Sequence, residues 1–353
     1  MHQNEKNPIR GRGASDNPAN RFEGKYIDYE LDEETGEKPA QDTKLIPDDT
    51  KEILSKNDSP DIPFTYGLNP YRGCEHGCIY CYARPTHEFL GFSAGLDFES
   101  RIMVKYDAAE KLRSKFASKK WNPEAVALSG VTDPFQPVER KLEITRSCLK
   151  VFAEARNPVG IITKNYLVTR DIDLLEELAK YDAVHVTLSI TTLDRELARI
   201  MEPRTSQPNR RLKAIEELAS RGISVGVNVA PIIPGLTDHE CPKILERAKD
   251  AGAEHAAYTI VRLPHGVKNL FKEWLEQHFP DRKEKVLNRI RDIRDGKLNE
   301  SEFGERFHGK GEFAGQIRNM FKINVEKLGL NKKEQQLSTK YFQRPQKGQL
   351  RLF

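Results

Sequence analysis

At 353 residues the chain has room for one large α/β domain with extensions, or for two domains. It is 37% hydrophobic and 31% charged, with no apolar run near the ~20 residues of a membrane span and no apolar signal core in MHQNEKNPIRGRG, so a cytoplasmic site without membrane contact is expected. The net charge of +4 is uneven: residues 1–60 hold 9 basic against 14 acidic side chains, and residues 281–353 hold 18 against 10.

Residues 1–60 are poor in apolar periodicity and rich in Asn, Gly, Asp and Pro, which predicts a mobile or loosely docked arm, partly disordered. Within it, YIDYELDEETGEK suits a short hairpin and IPDDTKEILSKN one helical turn. From residue 61 strands and helices alternate, to residue 263. Short runs of Val, Ile, Ala and Leu predict strands at 63–68, 125–129, 159–163, 183–190, 224–229 and 256–260. Between them lie helical stripes. Asp107 caps Ala108, Leu112 and Phe116; Thr145 precedes Leu149, Val151 and Phe152; Asp171 caps Leu174, Leu175 and Leu178; and Asn209 caps Leu212, Ile215 and Leu218. A further helix after Gly235 runs through Ile244, Leu245 and Ala248. Six β–α repeats predict a parallel barrel or a doubly wound sheet, with functional residues at the C-terminal ends of the strands.

Directly after the first strand, NPYRGCEHGCIYCYARP places Cys74, Cys78 and Cys81 in a C-x3-C-x2-C array. Three thiolates are one too few for a closed tetrahedral metal site or a four-cysteine iron–sulfur cluster, so one metal corner stays open to chemistry. A Cys3His zinc site completed by His87, with His76 also inside the loop, is the competing reading. An odd count of five cysteines disfavours a disulfide framework. Cys148, on an apolar helix face, is expected to be buried; Cys241, at a helix start, is expected to have a lowered pKa.

The cysteine spacing matches the radical S-adenosylmethionine (radical SAM) enzymes. With SGVTDPFQPVE, ITKN, EPRT and VNVAPIIPGLTD, residues 63–263 resemble the spore photoproduct lyase-related, DNA repair photolyase-like group of that superfamily. The resemblance implies an α/β fold: a partial (β/α)6 barrel with a flexible N-terminal arm and a helical C-terminal extension. It implies a [4Fe-4S] cluster on the three cysteines, S-adenosylmethionine (SAM) as cosubstrate, and an external electron donor. It also implies a 5′-deoxyadenosyl radical that takes a hydrogen atom from substrate. Backbone near Tyr80 is expected at the adenine, Thr132 at the methionyl group, Lys164 at the carboxylate and Ser189 at the ribose. The lyase pattern has a hydrogen-donating cysteine where this chain has Gly130, while Tyr82 is retained as the neighbouring hydrogen relay. Repair of spore photoproduct itself is therefore not expected. A nucleic-acid substrate is, with a peptide or small metabolite as the alternative and a non-enzymatic zinc or cluster-bearing binding protein as the third. Arg204 and Arg262 suit either substrate phosphates or surface salt bridges.

Beyond residue 263 the pattern turns helical to residue 331. Val286, Leu287, Ile290 and Ile293 form one stripe and Phe313, Ile317 and Phe321 another, with glycine-rich SEFGERFHGKGEF as a loop between them. The +8 of residues 281–353 fits a nucleic-acid partner or a solvated lysine-rich surface. Residues 332–353 read as a basic flexible tail ending in Gln349, Leu350, Arg351, Leu352 and Phe353. That ending resembles the peptide by which bacterial replication and repair proteins bind the sliding clamp; the alternative is a tail folded back on its own barrel.

Overall fold

The computed structural model describes residues 9–22, 42–333 and 337–346. Ten strands follow in chain order: β1 Lys44–Pro47, β2 Leu54–Lys56, β3 Tyr66–Leu68, β4 Tyr71–Arg72, β5 Arg101–Val104, β6 Val126–Leu128, β7 Val159–Thr163, β8 Val184–Ser189, β9 Ser224–Ile232 and β10 His255–Ile260. Six of them, β3 and β6–β10, run parallel in one sheet of order β10-β9-β8-β7-β6-β3, with β2 antiparallel on the β3 edge. Each strand pairs with its predecessor, so the sheet grows in one direction. That order belongs to a partial (β/α)6 barrel; a doubly wound sheet reverses direction partway. A small second sheet, β1-β5-β4, flanks it.

Helices fill the returns: α1 Leu96–Ser100, α2 Ala108–Ala117, α3 Glu139–Leu142, α4 Ile144–Ala155, α5 Ile172–Ala179, α6 Arg195–Met201, α7 Pro208–Ser220 and α8 Cys241–Asp250. The sheet register puts Val159 and Ile161 of β7, Val184, Val186 and Leu188 of β8, and Val225 and Val227 of β9 on one face, where all are buried in the core. Each contributes roughly 1.5–3 kcal/mol by leaving water. The other face carries Ile162, Thr187, Ser189, Gly226 and Asn228, small or polar apart from Ile162, which keeps the barrel interior open.

Several helix starts differ from expectation. Thr145 lies inside α4, where its hydroxyl donates to Pro134 O (2.6 Å), and Asn209 lies inside α7, which begins at Pro208. Proline is favoured in a first turn, which moves that boundary back. Asp107 and Asp171 precede α2 and α5 without capping them. Asp107 pairs with Lys111, and Asp171 with Arg146 and Arg170.

The arm is a second correction. IPDDTKEILSKN gives no helical turn: its ends belong to β1, paired with β5, and β2, paired with β3. Residues 9–22 are docked as well. Gly13 N and Ala14 N donate to the Glu99 carboxylate (3.0 and 2.8 Å), and Asn17 Nδ2 donates to Asp97 Oδ1 (3.1 Å). The expected hairpin at residues 26–38 lies outside the described residues.

The C-terminal part is helical as expected: α9 Val267–His278, α10 Pro280–Asp292 and α11 Gly311–Leu328. The glycine-rich segment between α10 and α11 closes the seam left between β10 and the β2–β3 edge. Ile260 N donates to Phe307 O (2.8 Å), while Gly304 N and Arg306 Nε reach Asp61 just ahead of β3 (2.7 and 2.6 Å). Residues 337–346 fold back along the opposite end. Ser338 N donates to Asp182 O, Gln343 N to Ala155 O, and Arg344 Nη2 to Trp121 O (2.9, 2.8 and 2.9 Å), all ahead of barrel strands. The expectation of a flexible tail therefore fails over 337–346, because backbone bonds and the Phe342–Phe116 ring contact hold it. Gln349, Leu350, Leu352 and Phe353 lie outside the described residues.

Candidate active site

The cysteine loop leaves β4 through Gly73 and is pinned at every turn. Cys74 N donates to Phe98 O (2.9 Å) and Ile79 N to Met201 O (3.1 Å). The Gln136 side chain clamps the loop from below, accepting from Glu75 N (2.9 Å) and donating to Gly73 O (3.2 Å). Two glycines are required here. Gly73 (φ +80°) would bring a Cβ to 2.8 Å from His87, and Gly77 (φ +67°) to 2.8 Å from Glu99. Beneath the loop lies Arg84, fully buried, donating to Cys78 O, Gly77 O, Ala94 O and Gly95 O and paired with buried Glu99. One guanidinium thus ties two carbonyls of the cysteine loop to the segment that enters α1 and to Glu99 within it.

Above the loop is a cleft of about 120 Å³ at the C-terminal ends of the strands. It brings together Cys74, Cys78, Cys81, Tyr82, Gly130, Thr132, Lys164 and Ser189, so seven of the eight expected site residues share one wall system. Tyr80 does not line it. Its ring turns into the protein, and its hydroxyl bonds the Glu202 carboxylate and lies 3.2 Å from the Thr191 hydroxyl.

Lys164 Nζ lies 3.1 Å from Glu202 Oε1 and donates to Thr191 Oγ1 (3.0 Å) and Ala230 O (2.8 Å). Burial pushes the Glu202 carboxyl up, but Arg211 and Lys164, with hydrogen bonds from Tyr80 and Thr191, outweigh that and hold it well below the usual carboxylate range. Thr132 Oγ1 donates to Tyr71 O (2.9 Å), which spends its proton and leaves lone pairs. Asp133 beside it accepts from Lys164 N, Thr163 Oγ1 and Phe135 N, and sits 3.4 Å from His76 Nδ1. Burial raises its pKa, but His76, Lys164 N and the Thr163 hydroxyl lower it by more, for a net depression. Tyr82, 47% exposed, donates to Gly130 O (2.5 Å). Gly130 has φ +106°, so any side chain there, a thiol included, would be strained.

The three cysteines are free thiols. Burial pushes all three up, against the thiolate form, and a metal's positive charge would offset that cost. A zinc ion ~2.3 Å from each sulfur needs sulfurs about 3.8 Å apart. Among the described residues, no three thiol, imidazole or carboxylate ligand atoms including these cysteines lie within 4.8 Å of one another. His87 is also unsuited to completing a zinc site: its Nε2 lies 2.8 Å from Arg101 O, and its ring packs against Phe92 and Phe98. A compact zinc geometry is therefore not preformed at the three thiols.

The other cysteines are inert. Cys148 is fully buried as expected, but Cys241 at the start of α8 is pushed up to about 12 by burial, against the expected lowering. Arg204 is a salt bridge, 3.1 Å from Glu75. Sequence reasoning missed Arg84, Glu99, Asp133, Gln136 and Glu202, and named His76 only as a zinc candidate. Asp133, Gln136 and Glu202 lie inside SGVTDPFQPVE and EPRT, where the signal was present.

The model of the radical SAM superfamily matches residues 68–248. An uncharacterized protein of Mycobacterium tuberculosis is 35% identical over 234 residues, covering 66% of this chain and 68% of the relative. A radical SAM Nα-GlyT isomerase of Pseudomonas phage M6 is 28% identical over 217 residues, covering 60% and 43%. Among solved structures, a spore photoproduct lyase double mutant with bound AdoMet and dinucleoside spore photoproduct superposes with a TM-score of 0.55. It is 17% identical and covers 81% of this chain and 80% of its own.

Proposed function

The chain belongs to the radical SAM superfamily, and from that premise we propose that it modifies or repairs nucleic acid. It is an enzyme whose cofactors are a [4Fe-4S] cluster and SAM, fed by an external electron donor. When bound, these supply a 5′-deoxyadenosyl radical that abstracts a hydrogen atom from substrate. The observation that carries the reading is the cleft in which three free thiols face Thr132, Lys164 and Ser189.

In this reading Cys74, Cys78 and Cys81 hold three irons and leave the fourth open. Lys164 pairs with the SAM carboxylate, which replaces one of its three protein acceptors. Thr132 offers its lone pairs to the SAM ammonium, since its own proton is committed to Tyr71 O. Ser189 meets the ribose, and backbone beside Tyr80 the adenine. Tyr82, held on Gly130 O, stands between the cluster loop and the barrel mouth and relays hydrogen. With glycine in place of a thiol donor, the product radical is quenched by another route than the lyase's.

Nucleic acid is supported by the +8 of residues 281–353 and by the dinucleoside named with the lyase structure. A cytoplasmic site suits an oxygen-sensitive cluster, and among the described residues no helix is long and apolar enough to cross a membrane. The sliding-clamp peptide remains part of the reading. Residues 337–346 run along the strand N-termini, at the end away from the cleft. Fluorescence anisotropy with single-stranded DNA and RNA tests the substrate class. Affinity should fall at least about tenfold between 50 and 200 mM salt; no binding at low salt contradicts nucleic acid while leaving the radical chemistry intact.

A further inference from the structure

Beyond Tyr82, at the seam closed by the 303–308 segment, stands a cation with no counter-ion among the described residues. Arg262 leaves the end of β10 with its guanidinium 5.3 Å from the Tyr82 ring centre and 5.2 Å from that of Phe307. Its Nε is buried without a hydrogen-bond partner, and among the described residues no carboxylate pairs with it. Behind it Arg294 is fully buried. Its Nη2 donates to Val261 O (2.8 Å), while Nε and Nη1 find no partner. Burial first, then Arg262, pushes the Arg294 guanidinium down to about 10.

The nearby charges do not neutralise this pair. Asp61 is taken up by Arg306 and Gly304, and Glu300, which faces Arg294, accepts from Ser301 N and Glu302 N. Unpaired guanidinium donors in a buried setting are costly unless an anion arrives to meet them. Arg204, by contrast, already has Glu75.

We propose that Arg262, backed by Arg294, receives a phosphate of the substrate at the barrel mouth, beside the radical cleft. This rests on the nucleic-acid reading above. A guanidinium fork matches phosphate oxygens, and the flanking aromatic faces keep the fork in plane. The exposed Tyr82 ring offers a surface on which an adjoining base stacks. The phosphate thereby fixes which nucleotide lies over the cleft.

The test uses the anaerobically reconstituted full chain and two probes, a thymidine dinucleotide with its phosphodiester and its uncharged methylphosphonate analogue. Wild type should bind the phosphodiester about tenfold tighter, equal to about 1.4 kcal/mol. Arg262→Gln should abolish that gap and Arg262→Lys retain part of it, with iron content and circular dichroism unchanged as folding controls. A gap that persists in Arg262→Gln overturns the site while leaving nucleic acid as substrate. No binding of either probe at about 1 mM also overturns it. If, in addition, a peptide carboxylate is preferred over its amide, the nucleic-acid reading fails with it.

Discussion

Arg84 and Glu99 form a pair with no exposed surface, and the cysteine loop hangs from it. Removing one partner strands the other charge in the core, so Arg84→Ala should cost about 3–5 kcal/mol and loosen the loop proposed to hold the cluster. Thermal unfolding together with iron retention checks this: a variant with wild-type melting and full iron would show that the loop stands without its tie. Lys164→Ala removes an ammonium from the cleft wall but no metal ligand. SAM affinity should fall roughly 10- to 100-fold with iron content intact, as read by equilibrium binding; unchanged affinity would remove Lys164 from the site. Cysteine spacing made the proposed metal ligands legible because thiols have few other reasons to cluster. Glu202 and Asp133 stood inside recognised motifs, but their roles were not legible, because a carboxylate takes its role from the buried cations and donors around it, which only folding assembles.

The strands show a similar division. Those expected at 159–163, 183–190 and 256–260 match β7, β8 and β10 to within a residue, since unbroken apolar runs buried on a parallel sheet leave little choice. The helix expected within 46–57 became β1 and β2, because pairing with β5 and β3 overrides weak local preference. The seam segment was legible only as a loop. Its role depends on Asp61, more than 240 residues away in sequence, holding Gly304 and Arg306. Asp61→Ala should leave overall stability within about 1–3 kcal/mol of wild type, yet raise hydrogen exchange at residues 303–308. Unchanged exchange there would mean that Phe307 and β10 close the seam without it.

Across the whole molecule, buried imidazoles set the response to acid. Burial, then His255, pushes His185 down to about 3, and burial pushes His87 down to about 4, so both stay neutral in the fold. The unfolded chain binds protons at these residues below about pH 6.5 and the folded one does not. Stability should therefore decline as pH falls from about 6.5 towards 4, and His185→Gln should flatten part of that slope in urea titrations. A variant whose slope equals wild type would show that other groups govern it. The central claim concerns the open corner of a cluster on Cys74, Cys78 and Cys81, and one experiment reaches it directly. Anaerobically reconstituted protein, reduced and mixed with SAM, is followed by electron paramagnetic resonance and by 5′-deoxyadenosine release. About four irons per chain, a cluster signal that SAM perturbs, and release lost in Cys78→Ala are the predicted results. One tightly held zinc per chain and no nucleoside released would contradict the account.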